Sequence, residues 1–507
     1  MGSTVVWTVF LLCFALVLSV LMGIIIHRST QDEISNENSL LKFSELEKYI
    51  QKQDSSYSYR ILPEYTTRGR DDSYTIFVLN MTSQTWLSST KVTHTKWWHY
   101  MTVIIPDEIT YTDVGCLYVT GDYNSDAPRN PLQDPEFRLV ASLSSRIGIV
   151  CAMQRQNPNG PIKFFEDPEN KYRRSDDLIA YTFKYFMEGH RDDPEAILVL
   201  PMVKSVVRAM DTITDFADQR IQRFFVCGAS KRGWATWLTA AVDDRVIGIM
   251  PLVLDFLNMQ PNFAHHYRSM NGWSWALKDY WYHNVTNYLT DPANVILTDI
   301  VDPFSYLDKL KLPKFIVTAG SDEFFLPDDA HYFYDKMMGP TYLRVHPNTD
   351  HILIGRYREL VDEAVGFINI ILENGTLPKL TWRRTDGSGI GRITVHSDIE
   401  PINITAWKAN TFTDSRRDFR VIVARTPNTT DVKPQVTVYR DIGVSRVGAN
   451  YTATVETPKS GWSCFFIEMT FPAPKGSHIV VTTEVNIIPD TFPAENCNGA
   501  ECKGTLV

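Results

Sequence analysis

What the chain lacks narrows its function first. No Lys/Arg-rich block occurs in its 507 residues, and 50 basic against 59 acidic side chains leave a formal net charge of -9. Phosphate contacts need a basic surface, so this balance argues against a nucleic-acid partner. Internal repeats and low-complexity segments are not evident, which gives no support to a repeat array. The pair His265-His266 near Asp255 lacks the tighter ligand spacing, such as His-x3-His, of a metal site, so no metal and no other cofactor is expected. What is present is ample apolar material: hydrophobic residues make up 44% and charged residues 21%, enough for a sizeable core and outside the range of a disordered chain. Aromatics at 12%, with 12 Trp, suit clefts that grip substrates by apolar contact, although core packing accounts for any single Trp.

Val5 to Ile26 is an uncharged, almost wholly apolar run. It exceeds the ~7 to 15 residues of a signal-peptide core and suits the ~20 that span a bilayer, yet no basic residue precedes it and no clean cleavage site follows. Residues 1–28 are therefore expected to be a signal peptide or a membrane anchor, the only membrane contact of the chain. Asn-x-Ser/Thr sequons at Asn80, Asn284, Asn374, Asn403, Asn428 and Asn450 accept glycans only in the secretory lumen, so the body is expected to be secreted or lumenal. Cys13 lies in the apolar run, which leaves an even set of six cysteines compatible with disulfides in 15 full pairings. Only the local pair Cys497 and Cys502, in CNGAEC, is assigned, and Cys227 in the apolar run FFVC reads equally as a buried thiol.

Residues 29–70 read as a polar tether. From 71 to 375, compact apolar runs such as CLYVT, IGIVCAM, FFVC, VIGIMPLVL and KFIVTAG alternate with helical segments, including Ser175 to Glu188, Lys204 to Arg220 and Lys231 to Val242. Strands buried on both faces between helices predict an α/β body with a doubly wound, mainly parallel sheet. From 376 to 490 the period becomes two in seven runs, from RITVHSD to HIVVTTEVNII, which predicts an all-β sandwich of immunoglobulin-like type, separable and without catalytic motifs. Residues 491–507 form a Cys-containing tail.

The strongest chemical pattern is FFVCGASKRGWATWLTAAV, in which an apolar strand ends at Cys227, small residues turn sharply, and a helix follows. This is the setting of a nucleophile elbow, so Ser230 is the candidate nucleophile, and the N–H of Lys231 at the helix start is half of a candidate oxyanion hole. The usual Gly two places after the serine is Arg232 here, with Gly233 following; the competing reading is an ordinary helix N-cap serine. A serine hydroxyl needs a base and an orienting acid, which in α/β-hydrolases follow in the order Ser, acid, His. KFIVTAGSDEFF puts Asp322 in the turn after a late strand, and TYLRVHPNTDH puts His351 in a loop after the next. His346 sits inside that strand pattern and is disfavoured; Glu323 and Asp350 are rival acids. The second oxyanion donor is sought at Gly121-Asp122, after the strand CLYVT.

The blocks VLPMVKSVVRAMD, FFVCGASKRGWATWLTAAVDDRV, IVDPFSYLDKL, LPKFIVTAGSDEFFLPD and HPNTDH resemble those of the PhoPQ-activated pathogenicity-related protein family, which includes autocrine proliferation repressors. The resemblance spans about residues 70 to 480 and implies an exported α/β-hydrolase-like protein with Ser230, Asp322 and His351 as triad. It also makes Arg232 a family trait. Bacterial members carry Gly-Gly where this chain has Gly121-Asp122, a departure at the oxyanion loop.

Two classes of function follow. One is a serine hydrolase acting on an ester- or amide-bearing substrate through an acyl-enzyme. The other is a non-catalytic extracellular signalling protein with a cell-surface partner, which uses the same fold as a contact surface.

Overall fold

The computed structural model describes residues 44–507 except 71, 125, 126 and 377. The apolar run 5–26 lies outside the described residues, and no helix among those described is long and apolar enough to cross a membrane. Two compact units divide the chain at residue 48; the second, Tyr49–Val507, is the subject below.

The main strands of the body are β1 (Ser58–Ile61), β2 (Tyr74–Thr85), β3 (Lys96–Pro106), β4 (Val114–Val119), β5 (Val150–Gln154), β6 (Arg223–Ala229), β7 (Val246–Leu252), β8 (Lys314–Ala319) and β9 (Thr341–His346). They lie in the order β1-β2-β3-β5-β4-β6-β7-β8-β9. Pairing is antiparallel from β1 to β5 and parallel from β5 to β9. Every residue of β5 and β8 is buried, as strands covered on both faces require. The longer helices are α1 (Pro135–Ile147), α2 (Ser175–Met187), α3 (Val199–Phe216), α4 (Lys231–Val242), α5 (Met259–Met270), α6 (Pro292–Val301) and α7 (Tyr357–Leu372). α1 packs with α7, and α3 with α4, as the layers of a doubly wound sheet. This strand order with a helix after β6 is the α/β-hydrolase fold. The expected tether is shorter than its assigned range, because Ser58–Ile61 already pairs with β2.

The C-terminal region comprises β10 (Leu380–Gly387), β11 (Ile390–Ser397), β12 (Asn403–Asn410), β13 (Asn450–Glu456), β14 (Ser463–Pro472), β15 (His478–Thr482) and β16 (Asn486–Ile488). β10, β11 and β13 form a separate antiparallel sheet with Ser445–Val447. The other layer is no independent sheet: β15 pairs with β9, and β14 and β12 follow it, so the body's own sheet continues into the β region. Here the structure departs from the expectation of a separable sandwich. Arg344 on β9 explains how the junction is held. Its guanidinium, buried, donates to Glu363 of α7 at 2.6 Å and to Glu468 of β14 at 2.6 Å, while Trp407 of β12 donates to the same Glu468 at 3.1 Å.

A second departure concerns DFRVIVAR, one of the seven period-two runs from which the sandwich is expected. Only Ile422–Ala424 is extended, and the alternation instead reflects a buried ion pair, Arg420 to Asp418 at 2.7 Å, whose guanidinium also donates to Ser274 at 2.9 Å. Cys497 and Cys502 are bonded to each other, whereas Cys116, Cys151, Cys227 and Cys464 are free thiols within or beside the core. The wider disulfide network left open by the even cysteine count is therefore not formed.

Candidate active site

The chain turns from β6 into α4 at Ser230, whose φ of 57° and ψ of -129° put a side-chain-bearing residue in backbone territory that normally costs on the order of 1–3 kcal/mol. Close packing enforces it. A Cβ on Gly228 would lie 2.7 Å from the carbonyl oxygen of Arg232, and one on Gly233 would lie 3.1 Å from that of Gly228 and 3.1 Å from the side chain of Leu254. The strand end and the first helical turn thus cross where only hydrogens fit, and the second small residue this crossing needs stands at 233, one place beyond the usual position. Arg232 is free to reach away, and its Nε donates to the Asn157 carbonyl at 2.6 Å. Ser230 Oγ caps no N–H of α4, so the N-cap reading fails. As the first helical residue, Lys231 keeps an N–H without an intrahelical partner beside the positive end of the helix dipole.

Asp322 stands in the turn after β8, fully buried, with Oδ1 accepting the N–H of Phe324 at 2.7 Å. The same carboxylate holds Nδ1 of His351 at 2.8 and 2.9 Å. Nε2 of His351 is buried without a hydrogen-bond partner among the described residues and belongs to the same pocket wall as Ser230. Burial works against a charge on this imidazole, but the negative charge of Asp322 and its hydrogen bond outweigh it, so the pKa stands above the ordinary value. Phe324 lies against the ring, with centroids 4.3 Å apart.

The rivals serve other ends. Glu323 accepts the main-chain N–H of His351 at 3.0 Å, and Asp350 accepts the N–H of Ile354 at 3.3 Å, so neither reaches the imidazole. His346 points into the sheet junction, 3.1 Å from Glu363. His265 is held by Asp328 at 2.9 Å, and His266 accepts the N–H of Ser274. Gly121 and Asp122 line a polar pocket with Arg155, Arg174 and Arg232 that does not include Ser230, and Asp122 is paired with Arg129 at 2.5 Å. The structure brings Ser230, Lys231 and His351 to one pocket, with Asp322 behind the imidazole, while Gly121 and Asp122 line the adjoining polar pocket, which shares Thr120, Glu136 and Arg232 with it.

Residues 46–420 match the PhoPQ-activated pathogenicity-related protein family. The chain belongs to this family. Its similarity to autocrine proliferation repressor protein A of Dictyostelium discoideum is 33% identity over 472 residues, covering 89% of this chain and 92% of that protein. Among solved structures, acetyl xylan esterase 1 from Thermoanaerobacterium sp. JW/SL YS485 matches with a TM-score of 0.42 at 13% identity, over 65% of this chain and 93% of that one. A glucuronoyl esterase from Solibacter usitatus matches with 0.37 at 11%, over 63% and 87%.

In this family member the segment between β7 and β8 folds as a cap over Ser230. An apolar pocket between cap and elbow is walled by Trp234, Phe256, Trp273, Leu277, Leu289 and Phe324. The aromatic stretch NGWSWALKDYWYHNVTNYL therefore both packs the cap and shapes the pocket. Two contributors escaped sequence reasoning. Asp176 pairs with Lys231 at 2.8 Å at the pocket edge; with Asp177 it is one of two acids in a first helical turn, which read merely as compensation for the dipole. The tail 497–507 is the other: Cys502 and Thr505 carbonyls accept the ring and main-chain N–H of Trp273, each at 2.8 Å, which straps the tail to the cap. The local cysteine pair was the one signal for it.

Proposed function

We propose that the chain is a serine hydrolase acting on an ester or amide. The observation that carries this reading is the imidazole of His351, oriented by Asp322 through Nδ1, with Nε2 left without a partner beside the pocket where a strained turn presents Ser230. Ser230 Oγ attacks the carbonyl carbon while its proton passes to Nε2 of His351, and the N–H of Lys231 faces the developing oxyanion. The C–O or C–N bond then breaks as Nε2 returns the proton to the leaving group, and water repeats the sequence on the acyl-enzyme. Labelling with a serine-reactive fluorophosphonate tests it: Ser230 is labelled in the wild type and nothing is labelled in Ser230→Ala. A wild-type protein that is folded yet unlabelled sinks the reading.

The likeness to a protein named as a proliferation repressor favours a second reading, signalling without catalysis. Full activity of well-folded Ser230→Ala on a physiological target supports it. In either reading the body faces the secretory lumen. Asn374, Asn403, Asn428 and Asn450 are exposed, as glycan acceptors must be, while Asn80 and Asn284 are half-buried. An N-glycosidase increases the gel mobility of protein expressed in a eukaryotic secretory host; no change counts against this topology.

A further inference from the structure

A second cavity opens beside Ser230 and His351, away from the cap, and runs into the layer between the sheet and helices α1 and α7. Protein interiors are close-packed, with few voids larger than a water molecule. This one measures about 530 Å³, within the range of a site for a drug-sized ligand. Its walls follow β6 back from Ser230 to Phe225 and β7 back from Val253 to Gly248. Five residues at ~3.3 Å each give it a depth of roughly 16 Å. Polar groups gather near the catalytic end, where Glu136, Arg232 and His351 stand; the far part is lined by Leu143, Ala364, Phe367 and Ile368. Water gains few hydrogen bonds along such walls, whereas a hydrocarbon chain of matching length exchanges its hydration for apolar contact at every methylene.

We propose that this cavity receives a long hydrocarbon chain carried by the substrate, next to the carbonyl that Ser230 attacks. The chain enters at the triad and lies along β6 and β7 beneath α1 and α7. The assignment of the bond broken rests on the hydrolase reading above, but the cavity's preference for a hydrocarbon does not. A chain of this kind reaches the site either as the acyl part or as the leaving group, and the two are separable by experiment.

The test uses the full-length protein. For p-nitrophenyl esters from acetate to decanoate, kcat/KM rises at least ten-fold with acyl length if the chain is on the acyl side. For acetate esters of ethanol to decanol, it rises likewise if the chain leaves. Independently, dodecanoate below its micellar concentration binds Ser230→Ala, read by displacement of a fluorescent fatty acid. Ala364→Phe, which projects a ring into the cavity, removes dodecanoate binding and lowers the decanoate-to-acetate selectivity at least ten-fold. Should that variant fail to fold by circular dichroism, Leu143→Ala enlarges the same space and moves the preferred chain to longer esters; an unmoved preference overturns the proposal. A labelled Ser230 with flat length profiles and no dodecanoate binding also overturns it. An unlabelled Ser230 in a protein that still binds dodecanoate removes the hydrolase reading and leaves the cavity assignment standing.

Discussion

The two halves of the candidate triad are built in opposite ways. The nucleophile sits in a turn made by neighbours in sequence, where Gly228, Ser230 and Gly233 meet within six residues and sterics alone dictate the backbone. The acid and base sit in two loops that no local rule holds in register. Remote residues hold them. Tyr439, between the β-region strands, donates its hydroxyl to the Gly320 carbonyl at 2.7 Å, two residues before Asp322. Its main chain exchanges hydrogen bonds with the side chain of Asn348 at 2.7 and 3.0 Å, three residues before His351. A self-contained elbow thus tolerates change elsewhere in the chain, while the acid–base pair depends on the whole C-terminal region.

The largest effect that tests this contrast is on the acid. Asp322→Asn keeps the fold but removes the charge that orients and stabilises the imidazole, lowering kcat by on the order of 10³ to 10⁴-fold. The pH profile gives a second readout. Catalysis needs neutral His351, so in the wild type kcat/KM falls as pH drops through a pKa above the ordinary 6.5. The residual activity of Asp322→Asn moves this acid limb to lower pH, because burial then acts on the imidazole without its opposing carboxylate. A limb that stays in place separates Asp322 from the base. Labelling of Ser230 by a fluorophosphonate checks that the elbow is retained.

The next effect is on the junction. Arg344→Ala leaves the buried carboxylate of Glu363 and the half-buried one of Glu468 without their shared cation, and costs about 3–5 kcal/mol of stability. Chemical denaturation measures it. If body and β region are coupled as the continuous sheet implies, the loss appears in one transition that takes both; two transitions, with only the β region weakened, would break the comparison. Arg344→Met, which restores packing without charge, recovers much of the loss when Glu363 and Glu468 are replaced by Gln in the same chain.

This contrast also explains what could be read from the sequence. The elbow, the alternation of strands with helices and the placement of Asp322 and His351 all rest on signals within a dozen residues: an apolar run, a turn of small residues, an acid after one strand and a histidine after the next. The C-terminal β region was recognisable from its period-two runs. Its union with the body was not, because β15 looks the same whether it ends a sandwich or extends a neighbouring sheet, and the pairing partner lies more than a hundred residues away in β9. Arg420 and Asp418 mimicked strand alternation for a related reason: a buried ion pair under the cap alternates with apolar neighbours as a half-buried strand does. Nothing local singled out Tyr439, which occupies an ordinary β-type run.

The smallest effect is therefore the most diagnostic one. Tyr439→Phe preserves the buried ring, which packs 5.6 Å from Phe466, and deletes only the hydroxyl that reaches the Gly320 carbonyl. Removing one partner of a buried hydrogen bond costs roughly 1–3 kcal/mol, and the global loss in stability should fall at the low end because the carbonyl is otherwise part of a sheet turn. The informative quantity is how this loss divides. If Tyr439 sets the turn that aims Asp322, kcat falls several-fold more than the stability change alone accounts for, KM for a small ester is little changed, and fluorophosphonate labelling of Ser230 slows in parallel. If the hydroxyl only adds stability, turnover by the folded fraction equals that of the wild type, and the acid–base side is as self-contained as the elbow.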